Sequence, residues 1–346
     1  MIRRDRCWLA AVTLAAWMAT IAPPTPASAV CVDYSDYQHW IGDCELVPEF
    51  MSGFDFGGIV IEGHYAYAAL VQYGIKIADL SGRTQPRLVG SLPGYAYDVE
   101  VRGDYAYATL NGVSVIDISL PEEPRVVGNI DVWNSRQIAL HDHYAFVTTW
   151  GDGLLVIDVA DPEAPVIVGE APLGYCWGLS ILGELACVAG GDLILLDIAD
   201  PIHPRAMGVV PTPADAWTVT MSGSLALTCD EGGDGTASRL VIDISQVSAP
   251  RILSEIPCEM WARGIVVEGD SAYITGVGLS TIDISDPEHA TVVAQAFAGC
   301  SVVVALRSTL AYVVDKNGRM HVVDVAASES LEPIGSVATE GFPLGV

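Results

Sequence analysis

The sequence predicts an all-β fold: a seven-bladed β-propeller of four-stranded antiparallel blades, with an eight-bladed ring as the alternative. Three observations lead there. The chain rewrites one phrase, as VSVIDISLPEEPRVVG from Val113, LLVIDVADPEAPVIVG from Leu154, LILLDIADPIHPRAMG from Leu193 and STIDISDPEHATVVA from Ser280. An Asp closes the apolar run of each copy, at Asp79, Asp117, Asp158, Asp197, Asp243, Asp283 and Asp324, with successive gaps of 38, 41, 39, 46, 40 and 41 residues. A period of this length marks a propeller or solenoid. No segment carries helical periodicity long enough to compete with the β pattern.

The second copy justifies the elements in order. Tyr97 to Val101 alternates as a first strand, Arg102-Gly103-Asp104 turns, and Tyr105 to Leu110 forms a second strand. Asn111-Gly112 then marks a tight hairpin, since both residues accept the positive φ that such a turn requires. Val113 to Ile118 is the third strand, the Pro121-Glu122-Glu123-Pro124 segment breaks the chain, and Arg125 to Ile130 is the fourth. The second strand recurs as YAYAAL, YAYATL, YAFVTT, LACVAG, LALTCD, SAYITG and LAYVVD, always with Ala second. A small residue at that place implies close approach of a neighbouring blade, where a larger side chain would overpack. The repeated Asp sits where a short carboxylate accepts backbone N–H groups and fixes the bend. At the ends, His39 to Leu46 resembles a fourth strand, while Gly341 to Val346 resembles the opening of another first strand. Either the N-terminal strand closes the last blade or the chain stops inside an eighth repeat.

Residues 1–29 read as a signal peptide, with Arg3, Arg4 and Arg6 before an apolar stretch and Ala27-Ser28-Ala29 as the cleavage site. An uncleaved anchor and a lipoprotein attached through Cys31 are rival readings. Residues 30–346 form the propeller, expected to be secreted, on the cell surface or periplasmic, monomeric, and not inserted in a membrane after cleavage. Export allows disulfides, and Cys31–Cys44 and Cys258–Cys300 are plausible pairs; no spacing of Cys and His suits zinc. The formal charge of −27, from 43 acidic and 16 basic residues, argues against nucleic acid and against anionic membrane surfaces.

The VIDI(S/A)DPxxPxxVG phrase, with YAYVA-like strands and a secretion signal, resembles the LVIVD-repeat family of exported bacterial and archaeal β-propeller proteins. The resemblance runs from about Tyr37 to the C-terminus. It implies a surface or secreted protein and supplies no catalytic residue. The chain departs from the pattern at Ala290, where the second Pro is missing, and in the fifth copy, where DEGGDGTAS from Asp230 lengthens the second hairpin.

Function is sought at the mouth of the central channel, because loops on a rigid scaffold vary freely. Aligned positions there are Gly57, Tyr97, Arg136, Trp177, Trp217, Arg263 and Val302, and two residues further on the chain is apolar throughout, at Ile59, Val99, Ile138, Leu179, Val219, Ile265 and Val304. Tyr, Trp and Arg are the residue types that carry binding energy at interfaces. Tyr97, Arg136, Trp177, Trp217 and Arg263, with Trp150 from a nearby loop, are therefore expected to bind a protein or carbohydrate ligand. The competing reading makes the rings a plug. Tyr73, Asp152 and the acidic residues Asp230, Glu231 and Asp234 lie on neighbouring loops, and the last three resemble a solvated hairpin more than a calcium site. The mouth positions hold no His, Asp or Glu, and no hydrolase motif occurs. The expectation is a binding module without catalysis, cofactor or metal; a propeller hydrolase or lyase using the mouth is the alternative, with Asp98 and Glu100 as its weak acidic pair.

Overall fold

A computed structural model describes residues 57–82, 84–231, 237–258, 264–315, 319–327 and 329–338, without the side chains of 277 and 297–302. Both end segments from which an extra strand was expected, the leader and the Cys31–Cys44 pair lie outside the described residues, as do Arg263, Asp234 and the side chains of Val302 and Cys300.

Seven blades of four antiparallel strands form the ring. Each consists of strands consecutive in sequence, ordered as they occur. First strands are Ile59–Glu62, Ala96–Arg102, Ser135–His141, Gly178–Leu182, Asp215–Ser222 and Ile265–Glu268; the seventh is the second half of Thr291–Arg307. Blades six and seven share one six-stranded sheet, because Thr291–Arg307 serves as the fourth strand of one and the first strand of the next. The hairpin signal holds: Asn111 and Gly112 both take positive φ, 49° and 105°.

The core is seven separate apolar seams between blades. The second Ala of each second strand (Ala66, Ala106, Ala145, Ala186, Ala226, Ala272, Ala311) is fully buried, one in each seam. The apolar residues that follow the mouth positions enter the same seams, one apiece, from Val99 in the first to Val304 in the last. They pack between blades because a radial sheet turns its side chains sideways, and all seven also line the channel at the axis.

Two further devices explain the repeated phrase. In all seven copies the Asp Oδ1 accepts the N–H two residues on, from Ser81, Ser119, Ala160, Ala199, Ser245, Ser285 and Ala326. The hydroxyl and N–H of Ser245 hold Asp243 below the ordinary carboxylate range, as the N–H and hydroxyl of Ser81 and Ser285 do for Asp79 and Asp283; Asp117, hydrogen-bonded to Ser119 and Arg125, falls to about 2. The Gly closing the phrase lies against the next blade: a Cβ at Gly90, Gly128, Gly169 or Gly208 would collide with the carbonyl oxygen of Pro121, Pro162, Ile202 or Val247. Gly335 of blade seven meets Thr84 of blade one in the same way, so the ring closes by the contact that joins blades one to five. Tyr312, Val314 and Val322 share a seam with Ala66 and Ala68 there, and Arg307 Nη2 lies 2.8 Å from His64 Nδ1. The described blades thus close without a borrowed strand.

Candidate functional site

Topology puts the loops entering each first strand and those joining strands two and three on one face, around the channel mouth. The register of the first strands aims their side chains there. In blade two, Val99 pairs with Ala108 and Ala96 with Leu110, leaving Tyr97 and Asp98 opposite Thr109 alone. In blade three Arg136 and Gln137 oppose Thr148, and in blade five Trp217 is the extra residue. A β-bulge of this kind re-aims a side chain and frees backbone groups. Threonine hydroxyls satisfy those groups. Thr109 Oγ1 accepts from Asp98 N (2.8 Å) and donates to the Arg136 carbonyl of the next blade (3.0 Å). Thr148 accepts from Gln137 N (3.0 Å) and donates to the Trp177 carbonyl (2.9 Å), and Thr275 accepts from Gly264 N (2.8 Å). These threonines were missed in the sequence; their sign was Thr at the fifth place of the second strand in three copies.

The structure brings five of the six expected residues into one pile running from blade two to blade five. The Arg136 guanidinium carbon lies 4.4 Å from the Tyr97 ring centre, 5.1 Å from that of Trp150 and 5.3 Å from that of Trp177. Trp177 in turn is 4.9 Å from Trp150 and 4.2 Å from Trp217. Arg136 is only 8% exposed, and its Nε has no hydrogen-bond partner among the described residues. The mouth bounded by Gly57, Tyr97, Arg136, Trp177 and Trp217 retains a cavity of about 30 Å³. The pile thus leaves only this small space among the described mouth residues.

Below it lies a channel of about 520 Å³. Innermost strands present an unpaired edge to such a channel, and side chains of the preceding blade cover it. Asp98 Oδ2 accepts the Ile138 N–H (3.0 Å), Gln137 Oε1 accepts that of Leu179 (2.6 Å), and Ser180 Oγ accepts that of Met221 (3.0 Å). Burial, then the charge of Glu100, pushes Asp98 up to about 8; burial pushes Glu100 up to about 7.

Above the pile stands what the aligned positions did not reveal. Tyr73, Tyr95, Trp133, Trp150 and Tyr175 are the exposed aromatic rings among the described residues, and all five sit on loops of this one face, in blades one to four. Their exposure runs from 39% at Trp150 to 78% at Trp133. Hydrogen bonds hold several of these loops: Tyr95 N–H donates to Asn111 Oδ1 (3.1 Å), Trp150 N–H to the Asn134 carbonyl (3.0 Å), and Trp150 pairs with Tyr175. Tyr95, Trp133 and Tyr175 precede first strands by one to three residues, so a search of the entering loops rather than one aligned column would have found them.

Asp230 is no hairpin-tip ligand: its two oxygens accept the N–H groups of Ala214 (3.1 Å) and Ser238 (2.9 Å). The described residues hold no cluster of three His, Cys, Asp or Glu side chains suited to a metal ion. Among the described histidines, His203 and His289 pair with Asp200 and Asp286 in the turns before fourth strands, and His321 pairs with Asp315 where strands two and three of blade seven join.

Fold and repeat define a β-propeller assembled from copies of one β unit. The chain belongs to the LVIVD-repeat family, whose model matches residues 55–92, 93–132, 134–171, 173–212, 261–295 and 298–339. The fifth blade, with its lengthened hairpin, falls outside these matches. No curated protein matches the sequence. Among solved structures, the chain is similar to the computationally designed Ika8 protein (9% identity, TM-score 0.59, 83% of this chain and 90% of that one). It is similar too to the β-propeller domain of Cps50 (Swd1) from Myceliophteria thermophila (12%, 0.59, 78% and 100%) and to apo AztD from Citrobacter koseri (15%, 0.52, 82% and 86%). At these identities the likeness is one of fold.

Proposed function

We propose that the chain is an exported, non-catalytic binding module that takes a carbohydrate on the aromatic face over blades one to four. The observation that carries this reading is the gathering of five exposed rings on one face, on backbones already held in place. Most of the large exposed aliphatic residues, such as Val126, Val166, Ile167, Met207 and Val209, lie instead on outer strands. A protein partner calls for a mixed apolar patch, whereas separate ring faces suit the C–H faces of sugars, which carry slight positive charge toward the negative face of the ring. Asp131, Asn134 and Asp152 beside the rings supply acceptors for hydroxyl groups. Pre-positioned loops lower the ordering cost of binding.

The test is an oligosaccharide array probed with the purified chain and with the double variant Trp133→Ala/Tyr175→Ala. The expected result is retention of at least one sugar class, weakened about tenfold or more in the variant, with stability changed by no more than about 0.5 kcal/mol because both rings are exposed. Binding of no sugar, or equal binding by the variant, overturns the proposal. Asp98 and Glu100, with raised pKa values beside the channel, are the features most favourable to an enzyme. Asp98 already serves as the acceptor for Ile138, and the proposal expects every retained sugar to be recovered without new reducing ends.

A further inference from the structure

Among the described residues, Arg136 is a cation buried without an anion. The sequence holds 43 acidic residues, and among the described residues the arginines in ion pairs are Arg87, Arg125 and Arg251, all well exposed. Arg136, only 8% exposed, has rings of Tyr97, Trp150 and Trp177 around its guanidinium and no carboxylate within ion-pair reach among the described residues. The nearest acid on the preceding first strand, Asp98, turns to the Ile138 N–H instead. Cation–π contacts offset only part of the desolvation of a guanidinium, and they leave its N–H groups in the ring plane unanswered. The Nε donor is the visible instance. The cavity beside it, about 30 Å³, admits an oxygen atom in the place of a water but no sugar ring.

We infer that Arg136 receives the carboxylate of an acidic sugar, a uronic acid residue whose ring stays outside on the exposed faces of Trp150 and Tyr175. The inference rests on the carbohydrate reading above and adds the charge of the ligand to it. Acids on the same face, Asp131, Asp152 and Asp215, disfavour a dense polyanion, so the fit is to a chain with spaced carboxylates.

The experiment titrates the purified chain with a neutral oligosaccharide that carries one galacturonic acid residue and with the methyl ester of that residue, which keeps the shape and removes the charge. The free acid is expected to bind at least about tenfold more tightly than the ester, as a charge-assisted hydrogen bond to the Nε donor requires. Arg136→Gln is expected to bring the ratio of acid to ester affinity down to about one, and Arg136→Lys to restore part of the preference. Equal binding of acid and ester by the unaltered chain overturns this inference and leaves the carbohydrate reading standing; should Arg136→Gln fail to fold, that comparison still decides. Binding of neither compound or of any neutral sugar removes both, and capture of acidic peptides in their place assigns the site to a protein.

Discussion

Gly128 has no Cβ because the carbonyl of Pro162 in the next blade occupies that space. Gly128→Ala is expected to lower stability by about 1–3 kcal/mol, as overpacking against backbone does, and an unchanged midpoint in urea would refute the contact. Asp98 allows a prediction of sign. Its folded pKa of about 8 lies above the ordinary aspartate value of 3.8, so the folded chain holds a proton that the unfolded chain releases. That contribution is complete below about pH 4 and fades as pH climbs to 8, at no more than about 1.4 kcal/mol per unit. Asp98→Asn keeps an acceptor for the Ile138 N–H and has no charge to bury. Its stability is expected to overtake that of the unaltered chain between pH 6 and 8, and melting curves that stay parallel across this range would contradict the assignment. Asp117, held at about 2, acts in the opposite sense, its contribution being lost on acidification below about pH 4. Repetition made the Asp and Ala readable, since seven copies expose a constraint that one would hide. Asp98 occurs once, and its partner lies forty residues away on another blade; nothing in its neighbours along the chain signals the bond.

At the scale of the strand, the bulge decides which side chains reach the mouth. Counting back from the first turn located Tyr97, Arg136, Trp177 and Trp217 because the bulge falls at the same place in several blades. The alternation could not show that Thr109 and Thr148 support it, since a threonine in a strand is ordinary until its hydroxyl is seen to serve two blades. Thr148→Val keeps the shape and removes both bonds, leaving the Gln137 N–H and the Trp177 carbonyl without their partner. A loss of about 1–3 kcal/mol is expected, as for unsatisfied buried groups, together with a change in the near-ultraviolet circular dichroism of the tryptophan pile. A destabilised variant with an unaltered spectrum would mean that the bulge holds the blade and not the pile. The exposed crescent was illegible for a different reason: loop residues keep no fixed spacing, so Tyr95, Trp133 and Tyr175 share a face only once the ring is closed.

Closure is the property of the whole molecule that the period alone left open, because a repeat near forty residues serves a solenoid as well as a ring. A solenoid tolerates loss of a terminal repeat, since each unit needs only its neighbour. In the ring, blade seven seals two seams: Val304, Ala311 and Val313 pack toward blade six, while Leu310, Tyr312 and Met320 pack toward blade one. Removing residues 298–346 strips apolar cover from both at once, exposing Tyr273 and Leu279 on one side and Ala66, Ala68 and Leu70 on the other. Each opened seam is a broad apolar face of the kind that drives association. The truncated chain is therefore expected to lose the single cooperative melt of the full chain and to aggregate in size-exclusion chromatography. A soluble six-blade fragment that melts near the full chain would show that the seam between blades seven and one contributes little, and the joint formed by Gly335, Thr84, Arg307 and His64 would then be an adjacency of ends and not a closure.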